Sequence, residues 1–152
     1  TPNMPAFRGG FDGSRAPVCY NGDIFTISDY ETLCGDYPEL DRVMLGRGII
    51  SNPGLLDRIA AGTNSDGSGT DKETLKRFHQ MIYEGYRQIM SGDRNVLFKM
   101  KELWACMIQI FSDNGKYIKR IKKSQRLEEY ETAAAAVFRD LDILEGAGFR
   151  TY

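Results

Sequence analysis

The residues best suited to chemistry are glycines and an arginine that follow short apolar runs. Val18-Cys19-Tyr20 leads into Asn21-Gly22-Asp23, and Arg42-Val43-Met44-Leu45 leads into Gly46-Arg47-Gly48. Glycine lets a main chain approach a ligand closely, and N–H groups beside an arginine suit a phosphate. Plain turns use the same residues, so each loop alone supports either a phosphate cradle or a simple reversal. Two such loops at one end of adjacent parallel strands would converge on a single anion. Asp23 would repel a phosphate if it pointed inward, and its expected task is to order its own loop or to cap a helix end.

A second constellation is cationic. Lys116, Lys119, Arg120, Lys122 and Lys123 surround Tyr117, Ile118 and Ile121, which share one helical face. Three readings stay open: a solvated helix face, contact with a nucleic-acid backbone, or weak attachment to a membrane surface. The last has least support because no large aromatic face accompanies the charge. His79 is the sole histidine and sits among bundle residues, so it is expected to be a satisfied or surface residue. Cys19, Cys34 and Cys106 form neither a C-x-x-C pair nor a zinc pattern, and are expected to be small buried hydrophobes in a reducing setting. No pair of carboxylates argues by spacing for acid–base work, and no metal constellation is present.

These groups need elements to hold them. Residues 1–16 read as an irregular lead-in, rich in Pro and Gly. Residues 17–24 read as a strand and its glycine loop, 42–45 as a second strand, and 28–40 as the crossover helix of a βαβ unit, capped by Ser28 or Asp29 with Glu31 in its first turn. A short helix from about Pro53 to Ile59 follows. Residues 61–69 have linker composition. Beyond them Thr70 and Glu73 suggest a capping box, and Leu75, Phe78, Ile82, Tyr86 and Ile89 recur at helical spacing. Gly92-Asp93 punctuates, and Val96, Leu97, Met100, Leu103, Trp104, Met107, Ile108 and Phe111 then form a wide apolar face. Asp113-Asn114-Gly115 turns the chain into the basic helix at 116–123. A last helix runs over 127–144, stopped by Gly146 and Gly148, with Leu127, Tyr130, Ala134, Val137, Phe138 and Leu141 inward.

The expected fold class is therefore mainly α: a C-terminal antiparallel helical bundle preceded by a two-strand βαβ remnant. The expected organisation is 1–60 for the βα part, 61–69 for the linker, 70–145 for the bundle and 146–152 for a tail. A lone parallel pair would expose its edges, which suggests self-association through the strands. With 152 residues, 41% hydrophobic and 27% charged, the composition is that of a soluble globular protein. It contains nothing near the roughly 18 consecutive apolar residues of a membrane span. Net charge is −1, but residues 1–70 hold five basic and nine acidic side chains, whereas 96–126 hold eight basic against two acidic. Such a patch attracts polyanions even in a near-neutral protein.

The order of these features resembles the C-terminal part of a tRNA-dihydrouridine synthase. Val18-Cys19-Tyr20-Asn21-Gly22-Asp23-Ile24 is similar to the family's seventh barrel strand and its Asn-Gly-Asp turn. Asp41 through Pro53, with Met44-Leu45-Gly46-Arg47-Gly48 and Asn52-Pro53, is similar to its eighth. The helices after the linker resemble the family's helical domain, including the basic pattern at Lys119, Arg120 and Lys123. The resemblance implies that residues 1–60 are the end of a TIM barrel whose Asn21, Gly22, Gly46, Arg47 and Gly48 hold the phosphate of FMN. It implies NADPH or NADH as reductant and a cytoplasmic setting. It further implies tRNA as partner, met by Lys116, Lys119, Arg120, Lys122 and Lys123. None of the three cysteines matches the family's proton donor, so no catalytic residue is assigned, and the chain is expected to be a C-terminal piece inactive alone. The alternative expectation is a self-associating helical interaction module indifferent to flavin and RNA.

Overall fold

The computed structural model describes residues 2–62 and 71–144. Its elements are helices: α1 (Met4–Gly13), α2 (Ile27–Asp36), α3 (Arg47–Ser51), α4 (Leu55–Ala61), α5 (Lys72–Ile89), α6 (Asp93–Met107), α7 (Gly115–Lys123) and α8 (Leu127–Asp140), with one 3-10 turn at Ile108–Ile110. The expected βαβ remnant is not formed. Among the described residues there is no strand, only isolated bridges at Tyr20–Val43 (parallel) and Phe111–Ile143 (antiparallel). Tyr20 N–H donates to the Arg42 carbonyl at 3.0 Å and Met44 N–H to the Tyr20 carbonyl at 2.8 Å. One rung keeps the parallel direction, but two short segments without neighbours cannot extend it into a ladder. The strand edges from which self-association was expected are accordingly missing from the described residues.

Several local expectations also change. The lead-in holds α1, whose N-cap Asn3 accepts from the Ala6 N–H. Its Met4, Phe7 and Phe11, spaced by three and four, pack on the first core with Tyr20, Ile24, Leu33 and Tyr37. The Phe7 ring meets Tyr20 and Tyr37 at 4.9 and 5.0 Å between centroids. Helix α2 is capped by Thr26, not Ser28 or Asp29. Asp29 is the N3 partner of that capping box, and the acidic residue of the first turn is Asp29 rather than Glu31. Helix α3, which Asn52 ends, is additional to the expected elements, and the short helix expected from about Pro53 to Ile59 is α4, starting at Leu55. Ala61 closes α4 and Gly62, with φ 75°, caps it; residues 63–69 of the expected linker lie outside the described residues, as does Thr70 of the expected capping box. Asp71 caps α5 instead, accepting from Thr74 N–H.

The bundle follows its apolar periodicity. Helix α6 buries Val96, Leu97, Met100, Leu103, Trp104 and Met107, and α8 buries Leu127, Tyr130, Ala133, Ala134, Ala136, Val137 and Phe138. The small side chains of α8 let its neighbours approach closely, so α7 lies against it with Tyr117 and Ile121 inward. The stripe of α5 is rotated from expectation: Leu75, His79 and Tyr83 are buried, Phe78, Ile82 and Tyr86 half-buried, and Ile89 is 78% exposed. Helix α8 ends at Asp140, before Gly146 and Gly148, which lie outside the described residues. The chain after it returns to the bundle, where Ser112 N–H donates to the Asp142 carbonyl and Leu144 N–H to the Ile110 carbonyl. The cysteines are not fully buried: Cys19 is exposed and Cys34 and Cys106 are half-buried. Helix α3 joins the two cores. Its Ile50 packs on the bundle, and Ser51 Oγ lies 3.4 Å from the Cys106 carbonyl.

Candidate functional site

The Tyr20–Val43 rung sets the Asn21-Gly22 and Gly46-Arg47 loops side by side. An ion pair ties them: Arg47 Nη2 donates to Asp23 Oδ1, and the same guanidinium lies 5.8 Å from the Phe25 ring centre. Asp23 thus orders the loops through Arg47 and offsets its charge. Asn21, Gly46 and Arg47 are exposed, Gly22 is half-buried and Gly48 is buried.

The glycines divide by what a side chain would meet. At Gly46 a Cβ would find nothing within 4 Å; at Gly48 it would strike the Ile24 carbonyl, and at Gly22 the Tyr20 ring. Gly48 and Gly22 are therefore glycine because of protein packing, while Gly46 leaves an open face. At the Gly46–Arg47 end main chain and a half-exposed guanidinium adjoin, the chemistry a phosphate group would require. At Gly22 and Gly48 only the side-chain direction is occupied, so any contact with a ligand there would run through main-chain N–H groups.

The cationic face is built by α7. Asp113, with φ 44°, turns the chain, and Asn114 Nδ2 donates to the Ile108 and Phe111 carbonyls at 3.0 and 2.9 Å, fixing the helix start. With Tyr117 and Ile121 in the core, Lys116, Lys119, Arg120, Lys122 and Lys123 project to solvent. Lys116 Nζ stands 5.0 Å from the Tyr117 ring centre. Among the described residues, Lys119, Arg120, Lys122 and Lys123 form no ion pair, unlike Lys99, which meets Glu102 at 2.8 Å. Lys101 Nζ donates to the Ser124 carbonyl at 2.6 Å and pins the α7–α8 junction to α6. Beside that junction lies a cleft of about 790 Å³ lined by Arg94, Phe98, Lys101, Lys122, Gln125 and Arg126, among others. Arg94 and Phe98 were not singled out by sequence reasoning. The available signal was an apolar residue lying off the α6 stripe, four positions after an arginine.

A buried polar chain sits inside the bundle. Trp104 Nε1 donates to Tyr130 Oη at 2.9 Å, and that hydroxyl meets His79 Nε2. All three groups are satisfied when the tyrosine donates to an unprotonated Nε2. Burial pushes His79 down to about 4 and raises Tyr130. Tyr83 donates to Glu131 Oε1 at 2.6 Å, and its pKa is raised by burial and by that carboxylate. Burial pushes the Cys106 thiol up, with the Arg47 charge acting the other way. Among the described residues no group of three or more His, Cys, Asp or Glu could hold a metal ion, and no helix is long and apolar enough to cross a membrane.

The sequence model of the family Dihydrouridine synthase (Dus) matches residues 12–146, and the chain belongs to that family. Three curated relatives carry the name tRNA-dihydrouridine(16) synthase. The chain is 44% identical to that of Aquipseudomonas alcaligenes over 45 residues, 30% of this chain and 14% of the relative. It is 30% identical to that of Pseudomonas putida (strain KT2440) over 99 residues, 64% and 29% respectively. With that of Neisseria meningitidis serogroup B it shares 24% over 135 residues, 86% and 39%. The matched stretch thus spans well under half the length of these relatives.

Proposed function

We propose that this chain supplies the tRNA-docking surface and part of the flavin-phosphate grip of a tRNA-dihydrouridine synthase. The observation that carries the reading is the α7 face: four exposed cations without carboxylate partners among the described residues, on a helix whose other side is locked into a bundle, in a chain of this family. A rigid cationic face of this kind gains by releasing counterions from a phosphate backbone. Lys119, Arg120, Lys122 and Lys123 would meet phosphates, with Lys116 at the start of the same helix. The uridine at position 16, named for all three relatives, is the substrate position this reading takes over.

Gly46 main chain and Arg47 would hold the FMN phosphate, with Asn21 on the neighbouring loop and Asp23 orienting the guanidinium. FMN held there would supply the hydride chemistry for reducing uridine to 5,6-dihydrouridine, with NADPH or NADH as the reductant. The chain's own contribution is binding and orientation; no residue of it is assigned a proton-transfer step.

The test is a titration of an unmodified tRNA transcript at low salt. The wild-type chain should bind, and a variant carrying Lys119→Gln, Arg120→Gln, Lys122→Gln and Lys123→Gln should bind at least about tenfold more weakly. Equal binding by both proteins would contradict the docking role. A parallel FMN titration, read by flavin fluorescence, checks the loops: saturation near the micromolar range supports the grip, and its absence removes the flavin part of the reading. A tight oligomer with no RNA affinity would favour an interaction module instead.

A further inference from the structure

The cleft between the N-terminal half of α6 and the α7–α8 junction has a property the phosphate-contact face lacks. Its wall carries an exposed aromatic ring. Phe98 is 53% exposed although its neighbours Leu97 and Met100 are buried, and the Arg94 guanidinium lies 5.5 Å from the ring centre, one helical turn earlier. Leu97 and Leu127 belong to the cleft's lining and to the bundle core, so they give it a firm floor. Lys101, held to the Ser124 carbonyl, keeps the two walls together. Four cations line this space, Arg94, Lys101, Lys122 and Arg126, against Asp93 and Glu128.

An exposed ring beside an arginine plane, in a cleft with excess positive charge, fits the two faces of an unpaired nucleotide: a base to stack and a phosphate to neutralise. A protein partner would find the same ring, but not a reason for four cations around it. We propose that Phe98 and Arg94 form a stacking platform for an unpaired base of the RNA that α7 docks, with Lys122 and Arg126 holding the adjoining phosphate. The proposal rests on the RNA-docking reading and adds a base contact to what would otherwise be backbone binding alone. Gln125, on the cleft's rim, supplies an amide within the same lining that can read a base edge.

The experiment compares wild type, Phe98→Ala and Phe98→Trp with two probes, a tRNA transcript and a blunt RNA duplex without unpaired bases. Phe98 is exposed, so Phe98→Ala should fold as wild type does. Loss of the ring should weaken tRNA binding between about fivefold and about a hundredfold, and leave duplex binding and the salt dependence unchanged. In Phe98→Trp the new exposed indole should be quenched saturably by tRNA and not by duplex; the native Trp104 is fully buried and gives a constant background. Binding of tRNA by Phe98→Ala within about twofold of wild type, or quenching of Trp at 98 equally by duplex, overturns the stacking platform while leaving the α7 docking face intact. Failure of the wild-type chain to bind tRNA at all removes both, which separates the two outcomes.

Discussion

At the scale of single residues, Gly46 and Gly48 are two positions apart and have opposite surroundings. A methyl at Gly48 meets the Ile24 carbonyl, so Gly48→Ala should cost about 1–3 kcal/mol through forced backbone movement. Gly46 has φ −102° and open space, so Gly46→Ala should stay within about 0.5 kcal/mol in stability, with any loss confined to FMN affinity. Urea midpoints of the two variants check this, and equal effects would contradict it. His79 offers a second test. Its folded pKa of about 4 lies below the ordinary 6.5, so the unfolded chain binds the proton first as pH falls. Stability from this group is complete above pH 6.5 and is lost as pH drops through the interval down to about 4, at most about 3 kcal/mol. His79→Gln should flatten that part of the stability–pH curve, measured by denaturant unfolding at several pH values; an unchanged curve would contradict the buried neutral imidazole. Tyr130→Phe, which strands the Trp104 N–H in the core, should cost about 1–3 kcal/mol at neutral pH.

At the scale of elements, α7 separates two properties that lie on opposite sides of one helix. Ile121 is fully buried, and Ile121→Ala should lower stability by about 2–5 kcal/mol. Neutralising Lys119, Arg120, Lys122 and Lys123 should leave the thermal midpoint within a few degrees of wild type, since these cations are exposed and make no ion pairs among the described residues. A large drop in that midpoint would show that the charges are structural. This division was legible in the sequence because Tyr117 and Ile121 repeat at helical spacing amid lysines, as do the apolar residues of α6 and α8. The first sixty residues were less legible. Short apolar runs such as Val18–Tyr20 match a buried strand, but a strand is made by its neighbours, and here two runs share a single rung. Helix α1 was hidden by its Pro and Gly content, although Met4, Phe7 and Phe11 carried the spacing and Asn3 the cap. The family resemblance came from the motif at 41–53, and the match over residues 12–146 bears it out. What the motif did not reveal is that a side chain at Gly22 or Gly48 would strike Tyr20 or Ile24, because close approach to protein and close approach to a ligand demand the same residue.

For the whole molecule, the two cores are unequal. The first centres on Tyr20, Ile24, Leu33 and Tyr37, whereas the second draws buried residues from α5, α6, α7 and α8 and contains the Trp104–Tyr130–His79 chain. Helix α3 couples them, so the loops proposed to hold the flavin phosphate rest on the smaller core. Amide exchange should therefore be faster over residues 20–45 than over 96–107 and 127–138; uniform protection would contradict this division. The central claim is that the bundle's cationic face meets a nucleic-acid backbone, and the salt dependence of tRNA binding tests it most directly. Log affinity against log salt should fall on a straight line whose slope shallows by about one unit for each phosphate contact removed by neutralising Lys119, Arg120, Lys122 or Lys123. A wild-type chain that binds no tRNA at low salt, or one whose slope is the same with all four cations gone, would contradict it.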